Sequence, residues 1–242
     1  MSALIPRGSV PLPPRCYGAG AFSFWGFVNV NVDFVVDGFN LYHSLKDLRR
    51  DRHSDCRWLD LRALCGAQLQ LLGPSALVGR IYYFSALATH LQTTDPGKVS
   101  RHRTYVAALE SIGVAVQLGR FKPKDVEYRS SGCYVCLRRH EEKETDVGIA
   151  LKVVDLAHDP ACDAVALVSG DTDVAPALRT ARAITPAKPI YVFFPYRRVN
   201  KDLKQLATRS FRLLGPSLER SQFPQAVDLP SGRRLFRPPE WA

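Results

Sequence analysis

The chain has 242 residues, 46% of them hydrophobic and 23% charged, which excludes collagen-like, coiled-coil and wholly disordered proteins and is enough for one sizeable core. Thirty-three Lys and Arg against 23 Asp and Glu leave a net charge of +10, pointing to a polyanionic partner, nucleic acid first and an anionic membrane second. The 6 cysteines are scattered through a chain too long to need disulfide staples, so they read as thiols of a reducing, cytoplasmic protein.

Residues 1–28, with Pro6, Pro11, Pro13 and Pro14, read as a flexible leader. The apolar stretch from Cys16 to Val32 is interrupted by Asn29 and Asn31 and runs into a strand, so it is not taken as a signal segment, and nothing reaches the roughly 18 unbroken apolar residues of a spanning helix. A β-branched run from about Val30 to Val36 predicts a buried strand, ended by the turn residues Asp37-Gly38-Phe39-Asn40. Helices are predicted over Leu41 to Arg50 and Leu59 to Leu72, a strand over Val78 to Phe84, a helix over Val99 to Ile112 and a strand over Val114 to Leu118. Between residues 119 and 143 charged and aromatic residues alternate around a C-x-x-C, which predicts an inserted hairpin or knuckle. Thr145 to His158 follows as a helix, with Val147, Ala150, Leu151, Val154 and Ala157 at helical spacing. Then come a strand over Asp163 to Ser169, a helix over Asp173 to Ala183, a strand over Pro189 to Phe194, a helix over Asn200 to Thr208 and a short strand over Phe211 to Leu214. From Gly215 to Ala242 Pro, Ser and Arg dominate, predicting an irregular basic extension behind one domain over residues 29–214.

Alternating strands and helices of this length imply an α/β fold, a mainly parallel sheet covered by helices on both faces. Right-handed crossovers bring every loop that follows a strand to one edge, where such sheets bind ligands. Asp37 follows the first strand, and Gly170-Asp171-Thr172-Asp173 follows the fourth. Asp146 joins them at the start of its helix. Singly, each is explained by capping, a helix dipole or a turn. Together, clustered carboxylates call for a compensating cation, and hard divalent ions take oxygen ligands. A basic surface around an acidic metal pocket suits phosphodiester hydrolysis.

The strings F-V-V-D-G-F-N-L-Y-H (Phe34 to His43), E-K-E-T-D-V-G-I-A (Glu142 to Ala150) and L-V-S-G-D-T-D-V-A-P-A-L (Leu167 to Leu178) closely resemble the NYN domain, LabA-like branch, of the PIN-like nuclease superfamily. The resemblance spans about Val30 to Leu214. It implies a PIN-like three-layer α/β/α sandwich and a Mg²⁺- or Mn²⁺-dependent ribonuclease site. It places Asp37, Asp146 and Asp171 as metal-binding carboxylates, Asp173 as a residue that orients water or completes a second ion's shell, and Asn40 as a hydrogen-bonding partner beside them. Thr172 stands where a serine is common in the family and keeps the hydroxyl.

Cys133, Cys136 and His140 offer three soft ligands, one short of a closed zinc site, so structural Zn²⁺ and free thiols both stay open. A C-x-x-C insertion at this place is similar to one found in LabA-like proteins. Two basic groups, Arg120, Lys122 and Lys124 after the third strand and Tyr196, Arg197, Arg198 and Lys201 after the fifth, should open on the carboxylate edge and bind RNA. The expectation is a cytoplasmic endoribonuclease acting on single-stranded or structured RNA and leaving a 5′-phosphate, with a homo-oligomer or an inhibitory protein as candidate partner. A non-catalytic RNA-binding or regulatory subunit using the same cleft is the alternative. Neither a phosphatase with a second acid two residues after its aspartate nor a G-x-G-x-x-G cofactor fold fits the residues after the first strand.

Overall fold

The computed structural model describes residues 29–130 and 133–241, and the leader expected over residues 1–28 lies outside them. Seven strands form one sheet in the order β4-β3-β2-β1-β5-β6-β7. They are β1 (Val30–Asp37), β2 (Ala76–Ala86), β3 (Val114–Ser130), β4 (Cys133–Lys143), β5 (Ala164–Val168), β6 (Ile190–Phe194) and β7 (Arg209–Arg212). All neighbours pair in parallel except β3 with β4, which are antiparallel. The fold is a PIN-like α/β/α sandwich. The chain builds outward from β1 through β2 and β3, turns back at the hairpin, and re-enters on the other flank of β1 as β5. Strand order therefore reverses between β1 and β5, the place where open α/β sheets leave a crevice.

β1 is central because both its faces are apolar. Val32, Phe34 and Val36 are buried in one core, with α1 (Gly38–Arg52), α2 (Leu61–Leu69) and α3 (Pro96–Ser111) supplying Leu48, Leu64 and Leu109. Val35 enters the opposite core, with α4 (Thr145–His158), α5 (Ala175–Ile184) and α6 (Lys201–Leu206) supplying Ile149, Leu178 and Leu203. Along α4 the buried apolar residues are Ile149, Val153, Leu156 and Ala157, whereas Val147 and Leu151 are exposed. The buried stripe is rotated from the Val147, Ala150, Leu151, Val154 and Ala157 stripe that the spacing predicts, since the helix is apolar around most of its circumference.

Two expectations are corrected. The third strand does not stop at Leu118 but runs on as the first arm of the inserted hairpin, from Arg120 opposite Lys143 to Ser130 opposite Cys133. The segment from Gly215 is not irregular: it forms α7 (Gly215–Arg220), the two-stranded β8 (Ala226–Asp228) and β9 (Arg234–Phe236), and a terminal 3₁₀ turn. Leu218, Phe223, Val227, Leu235 and Trp241 anchor it in the α1–α3 core. Trp58 donates its indole N–H to the Pro224 carbonyl at 2.8 Å, and Leu59 bridges to Gln222. These anchors are too unevenly spaced to show a helical or strand period.

Candidate active site

Asp37 is the last residue of β1 and the N-cap of α1: one carboxylate oxygen accepts from the Asn40 backbone N–H at 2.9 Å. The other accepts from the Ser169 hydroxyl, at the end of β5, at 2.7 Å. Ser169 Oγ in turn accepts from the Asp171 N–H at 3.0 Å, and the Asp171 carboxylate accepts from the Asp173 N–H at 3.1 Å. Asn40 closes the frame, its side-chain oxygen accepting from the Gly170 N–H at 3.0 Å. Gly170 must be glycine here, because a Cβ would sit 1.8 Å from the Arg198 carbonyl oxygen. A ring of hydrogen bonds thus locks the ends of β1 and β5 together.

Two acidic side chains are buried among the described residues, Asp33 and Asp37. Asp33 is matched by Arg80, which also binds Asp159 at 2.6 Å. Asp37 has no cationic partner among the described residues. Burial pushes its carboxyl up to about 6, opposed by the Asn40 and Ser169 hydrogen bonds and reinforced by the charges of Asp146 and Asp171. Asp146, in the first turn of α4, is also raised, by burial and then by Asp171 and Asp173. Glu142 belongs to the same field: burial raises it, with Asp146 and Asp37 adding to the shift. The four expected carboxylates therefore share one uncompensated negative region.

The donor set is all oxygen, which suits Mg²⁺ or Mn²⁺. No three His, Cys, Asp or Glu side chains among the described residues lie close enough to cage an ion unaided. Ser169 and Glu142 were given no role on sequence grounds, although both stand inside motif strings. The signal for Ser169 was a hydroxyl ending an apolar strand directly before G-D-T-D.

The basic residues are partly spent on local acids. Arg120 pairs with Glu144 at 2.5 Å, Lys124 with Glu141 at 3.2 Å, Arg197 with Asp51 at 3.1 Å and Arg198 with Asp47 at 2.6 Å. Lys122 and Lys201 are exposed and carry no ion pair among the described residues. The Tyr196 ring packs against the α1–α3 core with the Arg52 guanidinium 5.9 Å from its centroid. Of the three soft ligands, the His140 ring stacks on His90 at 4.1 Å, while the Cys133 and Cys136 side chains lie outside the described residues. No helix among the described residues is long and apolar enough to cross a membrane.

A family model described as NYN domain matches residues 32–214. The protein 6-hydroxy-3-succinoylpyridine 3-monooxygenase HspA of Pseudomonas putida (strain DSM 28022 / S16) is 26% identical over 240 residues, which covers 85% of this chain and 73% of the relative. The crystal structure of a protein of unknown function from Vibrio parahaemolyticus RIMD 2210633 matches with a TM-score of 0.51 at 21% identity, covering 78% of this chain and 95% of that one. That likeness speaks for the fold alone.

Proposed function

The chain belongs to the NYN domain family, and from that membership we propose that it is a metal-dependent endoribonuclease that hydrolyses RNA phosphodiester bonds. The observation that carries this reading is Asp37, buried without a counter-cation among the described residues and within the fields of Asp146 and Asp171. NYN domains are nuclease-like, and the strings around Asp37, Asp146 and Asp171 support the LabA-like branch. Asp37, Asp146 and Asp171 would hold Mg²⁺ or Mn²⁺, with Asp173 beside them. An ion held there supplies an activated water and charge neutralisation at the leaving oxygen. The Asn40 and Ser169 hydrogen bonds fix the Asp37 carboxylate against rotation, and Asp146 and Asp173 face the entering RNA from the rim. Lys122 and Lys201, with the paired arginines in reserve, take the phosphates on either side, and cleavage leaves a 5′-phosphate.

Labelled single-stranded RNA, incubated with Mn²⁺, Mg²⁺ or EDTA, tests this directly. Wild type should cut with metal and not with EDTA, and Asp37→Asn and Asp171→Asn should each lose roughly a hundredfold or more, since outer-shell partners alone are worth 10- to 100-fold. Equal RNA binding by all three proteins with no cleavage under any metal would instead establish an RNA-binding subunit.

The Pseudomonas relative favours a second reading, hydroxylation of a small pyridine ring. Mass spectrometry of 6-hydroxy-3-succinoylpyridine after incubation with the protein, oxygen and reduced nicotinamide or flavin cofactors decides it.

A further inference from the structure

A cavity of about 270 Å³ lies between α1, the end of β2, α3 and the base of the β3–β4 hairpin, bordered by Trp241 from the C-terminal segment. It begins at Gly38 and Phe39, directly after Asp37, yet uses none of the site's carboxylates. Its walls are aromatic. Phe39 meets Phe121 edge-on at 5.9 Å, and Tyr105 meets Trp241 edge-on at 6.1 Å, with Tyr42 and Tyr83 also in the lining. Edge-to-face walls of this kind suit a flat ring, whose own faces and edges find complementary partners.

The charge pattern is one-sided. No lining residue is acidic, whereas Lys46, Arg57, Lys98 and Arg101 all border the cavity. Arg57 is committed to Asp55 at 2.9 Å, and Arg101 to Glu240 at 2.7 Å. Lys46 and Lys98 have no acidic partner among the described residues, and Lys46 lies 5.8 Å from the centroid of the Tyr42 ring. Three histidines complete the wall. Burial first, then the charge of Lys98, pushes His102 down to about 4. His43 and His90 are lowered by burial too, with Lys46 or Lys98 adding to it. At neutral pH these imidazoles are hydrogen-bonding groups without charge, and His102 Nε2 already lies 3.3 Å from Ser85 Oγ. The two lysines remain as uncancelled positive charge over an aromatic chamber.

We propose that this cavity is a binding site for a small planar aromatic anion, a one- or two-ring group bearing a carboxylate or a phosphate, its ring among the aromatic walls and its charge met by Lys46 and Lys98. Two sources share that chemistry: an unstacked nucleotide, and a free aromatic acid. The site rests on neither reading of the carboxylate centre.

Calorimetric titration of the full chain in EDTA, so that no metal contributes, tests the proposal with matched probes: cytidine 5′-monophosphate against cytidine, nicotinate against nicotinamide, and inorganic phosphate alone. The ring anion of the preferred source should bind about tenfold or more tighter than its neutral counterpart, the worth of one charge-assisted contact. Lys98→Ala, at an exposed position in the first turn of α3, should remove about that factor and leave the neutral ring unaffected, and Lys46→Ala should do the same. Preference for the nucleotide assigns the site to nucleotides, and preference for nicotinate to free aromatic acids. Neutral rings binding as well as the preferred ring anion, phosphate binding as well as that ring anion, an unchanged Lys98→Ala, or no binding at millimolar concentration would each overturn it.

Discussion

Asp33 and Asp37 lie on the same strand and are both buried, but they answer the cost of burial in opposite ways. Asp33 takes two guanidinium N–H groups of Arg80 on one oxygen and the Arg80 backbone N–H on the other, whereas Asp37 takes two neutral donors and keeps two acidic neighbours. In the metal-free protein that arrangement costs stability whenever Asp37 is ionised. Its folded pKa, about 6, lies above the ordinary carboxylate value of 3.8. The stability it contributes is therefore complete below pH 3.8 and lost as pH rises through about 6. Asp37→Asn keeps the shape and can keep both hydrogen bonds, its amide donating to Ser169 Oγ. Thermal melts in EDTA should find this variant more stable than wild type by roughly 5 °C at pH 7.5 and no more stable at pH 4. Mn²⁺ should raise the wild-type midpoint at pH 7.5 and leave the variant's midpoint nearly unchanged.

At the scale of elements, the parts visible in the sequence were those with a strong local signature. The run before Asp37 could only be a buried strand, and Thr145–His158 shows helical spacing from end to end. Asp37 and Asp171 could be assigned to strand ends because turn residues follow immediately. Ser169 was not readable as a partner of Asp37, because nothing local records a hydrogen bond to another strand. The buried stripe of α4 was misplaced for a related reason: which face is covered depends on the sheet, and an apolar helix does not announce it. Glycines divide in the same way. Gly170→Ala sets a Cβ against backbone at 1.8 Å and should cost about 3 kcal/mol or more in urea unfolding. Gly66→Ala, inside α2 with Val78 Cγ2 at 4.0 Å as its nearest neighbour, should stabilise by about 0.5–1 kcal/mol.

For the whole molecule, the net charge of +10 overstates the surface offered to a polyanion. Arg120, Lys124, Arg197 and Arg198 each face a nearby carboxylate, so that among the described residues Lys122 and Lys201 are the expected RNA contacts without an ion pair. Affinity for single-stranded RNA should therefore fall with log salt at a shallow slope, about −1.5 to −3. Lys122→Ala and Lys201→Ala should each flatten it by about 0.7. A slope steeper than about −5 in wild type would mean that the local pairs open to admit phosphates.

The hydrogen bond between Ser169 and Asp37 joins residues 132 positions apart, across the parallel seam where β5 docks on β1. Closing so long a loop is entropically costly, and parallel seams of this separation form late. On that ground the acidic centre is expected to assemble after the folding barrier and to come apart early in unfolding. Ser169→Ala should accordingly leave the refolding arm of a chevron plot almost in place and accelerate the unfolding arm. That outcome would make the Ser169–Asp37 bond a latch on the lifetime of the native state, separate from the nucleus that creates it.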